Sequence, residues 1–94
     1  MMGDRRIAHH LVIRGRVQGV FFRSSTRQTA ERNRVTGWAR NRADGSVEAW
    51  LEGSPDDVET VEAWIHAGGP PAAVVRDVVV EVTDPVGYER FTVR

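Results

Sequence analysis

Residues 15–23 read GRVQGVFFR, and their types suit the binding of an anion. Gly15 and Gly19 can adopt backbone conformations that aim successive main-chain N–H groups into one concavity. The string leads from a strand-like run into a helix-like one. Helix N-termini carry unpaired N–H groups and a partial positive charge. Arg23 falls in the first helical turn, where its planar guanidinium can give two parallel hydrogen bonds to a phosphate or a carboxylate. A dianion would meet main-chain dipoles and a full charge together. Glycine turns beside a surface arginine are common, so spacing alone leaves an ordinary turn open as well. The string fits neither the Walker pattern, since Val20 is not followed by a lysine, nor GxGxxG.

Other chemistries are excluded or weakened by composition. The 94 residues include no cysteine, so disulfides, thiol nucleophiles and cysteine-held metal sites are out. All basic residues are arginine, which removes any Schiff-base lysine. His9 and His10 are neighbours on a strand-like run and point to opposite faces, so they chelate poorly; with His66 they read as structural, and no metal site is expected. The 13 basic and 13 acidic residues balance to zero net charge, which argues against a nucleic-acid partner. Arg5-Arg6 is too short for a nucleic-acid arm. The start, MMGDRRIAHH, has no long apolar run after it, so neither a signal peptide nor a membrane span is expected, and the simplest location is cytoplasmic.

The elements that must position the loop can be read in order. One domain is expected over 9–94, with residues 1–8 free to fray. HHLVIRG (9–15) is a strand with Leu11 and Ile13 on one face. Residues 22–33 form a helix whose thin apolar stripe is Phe22, Thr26 and Ala30, with Thr29 beside it and Asn33 placed to end it in a left-handed conformation. Runs 35–41 and 46–52 alternate and flank a turn at Arg42-Ala43-Asp44-Gly45, which reads as an antiparallel hairpin. Trp38 and Trp50 share its polar side with Arg40, Glu48 and Glu52 and are expected to pack across the strands. Asn41 shares parity with Val35, Gly37 and Ala39, which places it on the helix-facing side. Ser54-Pro55-Asp56-Asp57 starts a second helix, which Gly68-Gly69-Pro70-Pro71 stops. A valine-rich strand (74–82), a turn at 84–87 and a last strand (89–94) follow. The order β-α-β-β-α-β with a short extra C-terminal strand predicts a ferredoxin-like α+β sandwich, an antiparallel sheet with two helices on one face. That fold serves many functions, so it does not choose one.

Taken whole, the strings GRVQGVFFR, TGWARN (36–41), DGSVE (44–48), GGPPAA (68–73) and the terminal FTVR closely resemble the acylphosphatase family across nearly the full chain. The resemblance implies a metal-independent, cofactor-free, monomeric enzyme that hydrolyses the carboxyl–phosphate bond of small acyl phosphates, giving carboxylate and inorganic phosphate. It implies that Arg23 binds phosphate, that Arg16, Val17, Gln18, Gly19 and Val20 form the phosphate cradle, and that Asn41 holds the attacking water. The chemistry is coherent. A carboxylate is a good leaving group, so positioning and charge stabilisation suffice, and a neutral carboxamide can orient water without acting as a base. Glu31, Asn33 and Arg34 depart from the family, which commonly has aliphatic residues and a glycine there; core contact is thinned rather than the site touched. The other class considered is a non-catalytic phosphate- or RNA-binding module of the same fold, without the aromatic-rich string that RNA binders of this fold carry.

Overall fold

A computed structural model describes residues 5–94. The elements are β1 (Ile7–Arg16), α1 (Phe22–Arg32), β2 (Thr36–Asn41), β3 (Val47–Gly53), α2 (Pro55–His66), β4 (Val74–Thr83) and β5 (Phe91–Val93). They form one sheet in the order β4-β1-β3-β2-β5. The first strand begins at Ile7, paired with Gly53, inside the stretch expected to fray; residues 1–4 of that stretch lie outside the described residues. Among the described residues, no helix is long and apolar enough to cross a membrane.

The sheet is mixed rather than wholly antiparallel, because β5 runs parallel to β2. The reason is geometric. Thr83, the end of β4, lies beside Ala8 at the sheet end where β1 and β2 begin. The chain must then pass from one sheet edge to the other, four strand spacings or about 19 Å. Residues 84–90 are just long enough to do this nearly extended, at about 23 Å. A taut crossing leaves no slack to travel along the strands, so β5 enters at the end where β2 starts.

The core lies between sheet and helices. Leu11 and Ile13 of β1, Ala39 of β2 and Val47, Ala49 and Leu51 of β3 are buried against Phe22 and Ala30 of α1 and Val58, Val61 and Ile65 of α2. The thin stripe of α1 holds as read. Thr26 is fully buried, and its hydroxyl donates to the Phe22 carbonyl at 2.7 Å. The helix ends differently from the expectation. Asn33 keeps φ at −110°, and Arg34 takes the left-handed conformation at φ 58°. Asn33 is held back by its own bonds, since its side chain donates to the Thr29 carbonyl at 2.8 Å. The N–H groups of Arg34 and Val35 then donate to Glu31 and Ala30, closing the helix one residue later.

The other sheet face is covered over β2 and β3. Trp38 and Trp50 face each other across β2 and β3, stacked at 6.4 Å, and Tyr88 from the crossing segment abuts Trp50 edge-on at 6.0 Å. Glu52 is fully buried there and accepts from Trp50 Nε1, Val86 N and Gly87 N. Burial raises its carboxyl, but these three donors more than offset that and leave it below the usual range. Glu48 is governed the same way: burial raises it, and hydrogen bonds with His10 and Arg40 bring it below. His9 turns to the helix face and meets Glu62 at 2.7 Å, so the two adjacent histidines do diverge.

Candidate active site

The loop between β1 and α1 is tied down at three points. Val17 is buried in the core and anchors its start. Gly15 belongs to the strand rather than to the concavity. It sits at a register shift between β1 and β4 with φ 136°, and a Cβ there would lie 2.1 Å from the Val74 carbonyl oxygen. Gly19 has φ 77° with open space around it, so the turn of the loop itself falls on this residue. The Gln18 amide donates to the carbonyls of Arg42 and Ser46, at 2.8 and 2.9 Å. Both its N–H bonds are thereby spent on the β2–β3 turn. Asp44 stabilises that turn by accepting from the Ser46 hydroxyl and main-chain N–H, bonds that lower its carboxyl. The loop and the end of β2, where Asn41 stands, are thus one braced unit.

The loop enters α1 through Phe21, which adopts φ 62° and ψ 27°. A left-handed conformation is uncommon for so bulky a residue and costs about 1–3 kcal/mol. Its main chain does the work of a cap from the carbonyl side, accepting from Ser25 N at 3.0 Å and Ser24 Oγ at 3.2 Å. Among the described residues, no side chain caps the N–H groups of α1, and no acid occupies its first turn. Among the described residues, none of the main-chain N–H groups of Val17–Phe21 donates to a main-chain carbonyl. The positive end of the helix therefore stays open to an anion.

Arg23 projects from the first turn. Its Nη1 donates to the main-chain carbonyl of Arg94 at 2.8 Å, while Arg94 N donates to the Ala39 carbonyl. The Arg94 guanidinium in turn lies 4.7 Å over the Trp38 ring. One end of the guanidinium is thereby fixed, and its remaining N–H groups are available to a ligand. A cavity of about 390 Å³ is lined by Val17, Gly19, Phe21, Phe22, Arg23, Ser24, Asn41 and Val93. Of the residues singled out in the sequence, Val17, Gly19, Arg23 and Asn41 meet at this cavity. Arg16 ends β1 opposite Val74, and neither it nor Gln18 nor Val20 lines the cavity. Sequence reasoning missed the strained Phe21, the bracing role of Gln18 and the hold of Arg94 on Arg23. The FF pair was the available signal for the first; the other two join residues too far apart in sequence to be foreseen.

The acylphosphatase family model matches residues 9–93. The chain is 54% identical over 85 residues to an acylphosphatase of Trichormus variabilis, covering 90% of this chain and 83% of that one. It is 44% identical over 93 residues to an acylphosphatase of Haloquadratum walsbyi, covering 99% of each. Its fold superimposes on the acylphosphatase of Coxiella burnetii with a TM-score of 0.91 at 37% identity, over 97% of this chain and 95% of that one. For the acylphosphatase of Bacillus subtilis the TM-score is 0.89 at 30% identity, over 94% and 98%.

Proposed function

We propose, from the premise that this chain belongs to the acylphosphatase family and is an acylphosphatase enzyme, that its chemistry takes place in the cavity at the start of α1 and without a metal ion. The phosphoryl oxygens are received by the free N–H groups of Arg23 and by main-chain N–H groups of the 16–20 loop. The Asn41 carboxamide oxygen accepts from a water molecule and holds it opposite the leaving oxygen. Attack forms the new bond from water oxygen to phosphorus. The bond from phosphorus to the acyl oxygen breaks, and the carboxylate leaves with the electron pair. A carboxylate is stable at neutral pH, with an ordinary pKa near 4, so no acid is required. The water's proton passes to a phosphoryl oxygen of the substrate, because a carboxamide cannot take it. Arg23 and the helix end follow the charge in the transition state, the positioning and electrostatic work that dominates phosphoryl transfer.

The observation that carries this reading is the meeting of Arg23, Asn41 and an uncapped helix N-terminus at one cavity. The test is hydrolysis of benzoyl phosphate in excess chelator by wild type, Arg23→Gln and Asn41→Ala. Asn41→Ala is expected to lower kcat by about 10²-fold, the cost of misplacing a reactant, while phosphate still binds as a competitive inhibitor. Wild-type rates in both variants would overturn the assignment of roles, and loss of activity in chelator would overturn metal independence. Phosphate binding without turnover would mark a binding module instead.

The same reading makes the enzyme a cytoplasmic monomer that acts on a small acyl phosphate and binds no nucleic acid. Two features support the last point. The charges balance, and over β2 and β3 the sheet face on which RNA binders of this fold expose aromatic rings is here occupied, with Trp38 buried beneath Tyr88 and Arg94. Sedimentation analysis and RNA titration at physiological salt check both statements.

A further inference from the structure

The two phenylalanines of GRVQGVFFR have opposite fates. Phe22 is 2% exposed and packs in the core, whereas Phe21 is 81% exposed, more than any other large hydrophobic side chain among the described residues. Nothing in the architecture calls for the Phe21 ring. The capping contacts at this position are made by its carbonyl oxygen, and its left-handed backbone is the conformation glycine would adopt most readily. An exposed aromatic ring on a backbone that disfavours it is a cost without a structural return, and Phe21 is one of the residues that line the cavity.

The cavity is also larger than a phosphate needs. A water takes about 30 Å³ and a phosphate ion a few times that, so most of the 390 Å³ is left for the rest of the substrate. Arg23 is the one charged side chain among the lining residues, and Val17, Phe21, Phe22 and Val93 supply apolar surface. The cationic end suits the dianion, and the acyl end meets hydrocarbon.

Resting on the reading of this cavity as the acyl phosphate site, we propose that the Phe21 ring is a specificity-determining wall for the acyl group, favouring acyl phosphates with an uncharged aryl or bulky apolar substituent over small or anionic ones. The ring packs against the substituent while the phosphoryl group sits at Arg23. Such packing acts equally on ground and transition states, so it tunes KM rather than kcat.

The experiment measures kcat and KM for benzoyl phosphate and acetyl phosphate, with inhibition by inorganic phosphate, on wild type, Phe21→Asn and Phe21→Tyr. Asparagine tolerates the left-handed conformation, so Phe21→Asn removes the ring and keeps the loop. The expected result is a fall of about tenfold in the benzoyl-over-acetyl ratio of kcat/KM, carried by KM for benzoyl phosphate, the scale of one lost aromatic contact. Phe21→Tyr should restore the ratio. An equal loss on both substrates, a matching loss of phosphate inhibition, or an unchanged ratio would overturn the proposal. Wild-type protein inactive on both substrates would overturn the underlying reading of the site, and the inference with it, a result distinct from a changed ratio.

Discussion

The two helices begin in opposite ways. α2 is closed at its N-terminus: Ser54 accepts from Asp57 N, proline takes the first helical position, and Asp56 and Asp57 stand against the positive end of the dipole. α1 has no side-chain cap and no acid in its first turn; it has Arg23 in place of one, and a strained phenylalanine at its entry. The α2 end is neutralised by its own residues, and the α1 end accumulates positive potential that none of the described residues matches. The difference separates a structural terminus from the one proposed to receive the phosphoryl group, although both helices pack on the same sheet face.

The sharpest way to break the contrast is to remove the charge that α1 adds. Arg23→Gln is expected to reduce kcat/KM for an acyl phosphate by about 10³–10⁵-fold, the scale of losing a charge clamp on a transferring phosphoryl group. Thermal unfolding should barely move, because this side chain holds no core contact. A loss of folding instead of activity would make Arg23 a structural residue.

A buried charge on the sheet face away from the helices should behave in the reverse manner. Glu52→Ala strands the N–H groups of Trp50, Val86 and Gly87 and is expected to cost about 3 kcal/mol, read by urea unfolding, with kcat changed little. The same carboxylate predicts the acid response. Its folded-state pKa lies below the ordinary value of 4.5, as does that of Glu48. Both therefore contribute stability that is fully present above pH 4.5 and is lost as pH falls through the lower folded values. Unfolding midpoints followed downward from pH 6 should show this decline, and Glu52→Gln should flatten it. A midpoint independent of pH in this range would contradict the assignment.

The two smallest effects exchange the characters of the helix ends. Ser24→Asp places an acid in the first turn of α1, where inorganic phosphate should inhibit at least about tenfold more weakly from repulsion at close range. The same charge should stabilise the helix by about 0.5 kcal/mol, or some 2–4 °C in Tm. Ser54→Ala opens α2 and should cost about 1 kcal/mol without affecting turnover. If Ser24→Asp left phosphate inhibition unchanged, the open end of α1 would not be where the anion sits.

Much of this was legible because the signals are local. The Ser54 cap, the hairpin turn at 42–45, the parity of Asn41 with Ala39 and the burial of Phe22, Thr26 and Ala30 depend on residues within a few positions of one another. Arg23 and Asn41 were legible as candidates because they lie in distinctive strings. Propensity places the left-handed turn at the end of α1 on Asn33, but Arg34 takes it, because the Asn33 bond to Thr29 that displaces it by one residue is not visible in propensity. Alternation marks one side of the hairpin as polar, yet Glu52 is fully buried there by the returning chain.

The sequence by itself determined the elements, their order and the open character of the first helix, because periodicity, caps and the absence of an acid at 22–24 are properties of neighbouring residues. Only the tertiary structure decided that β5 runs parallel to β2, that Gln18 braces the loop against the β2–β3 turn, and that Arg94 steadies Arg23. Those outcomes depend on the reach of a taut crossing segment and on contacts between residues far apart in the chain, which no local pattern encodes.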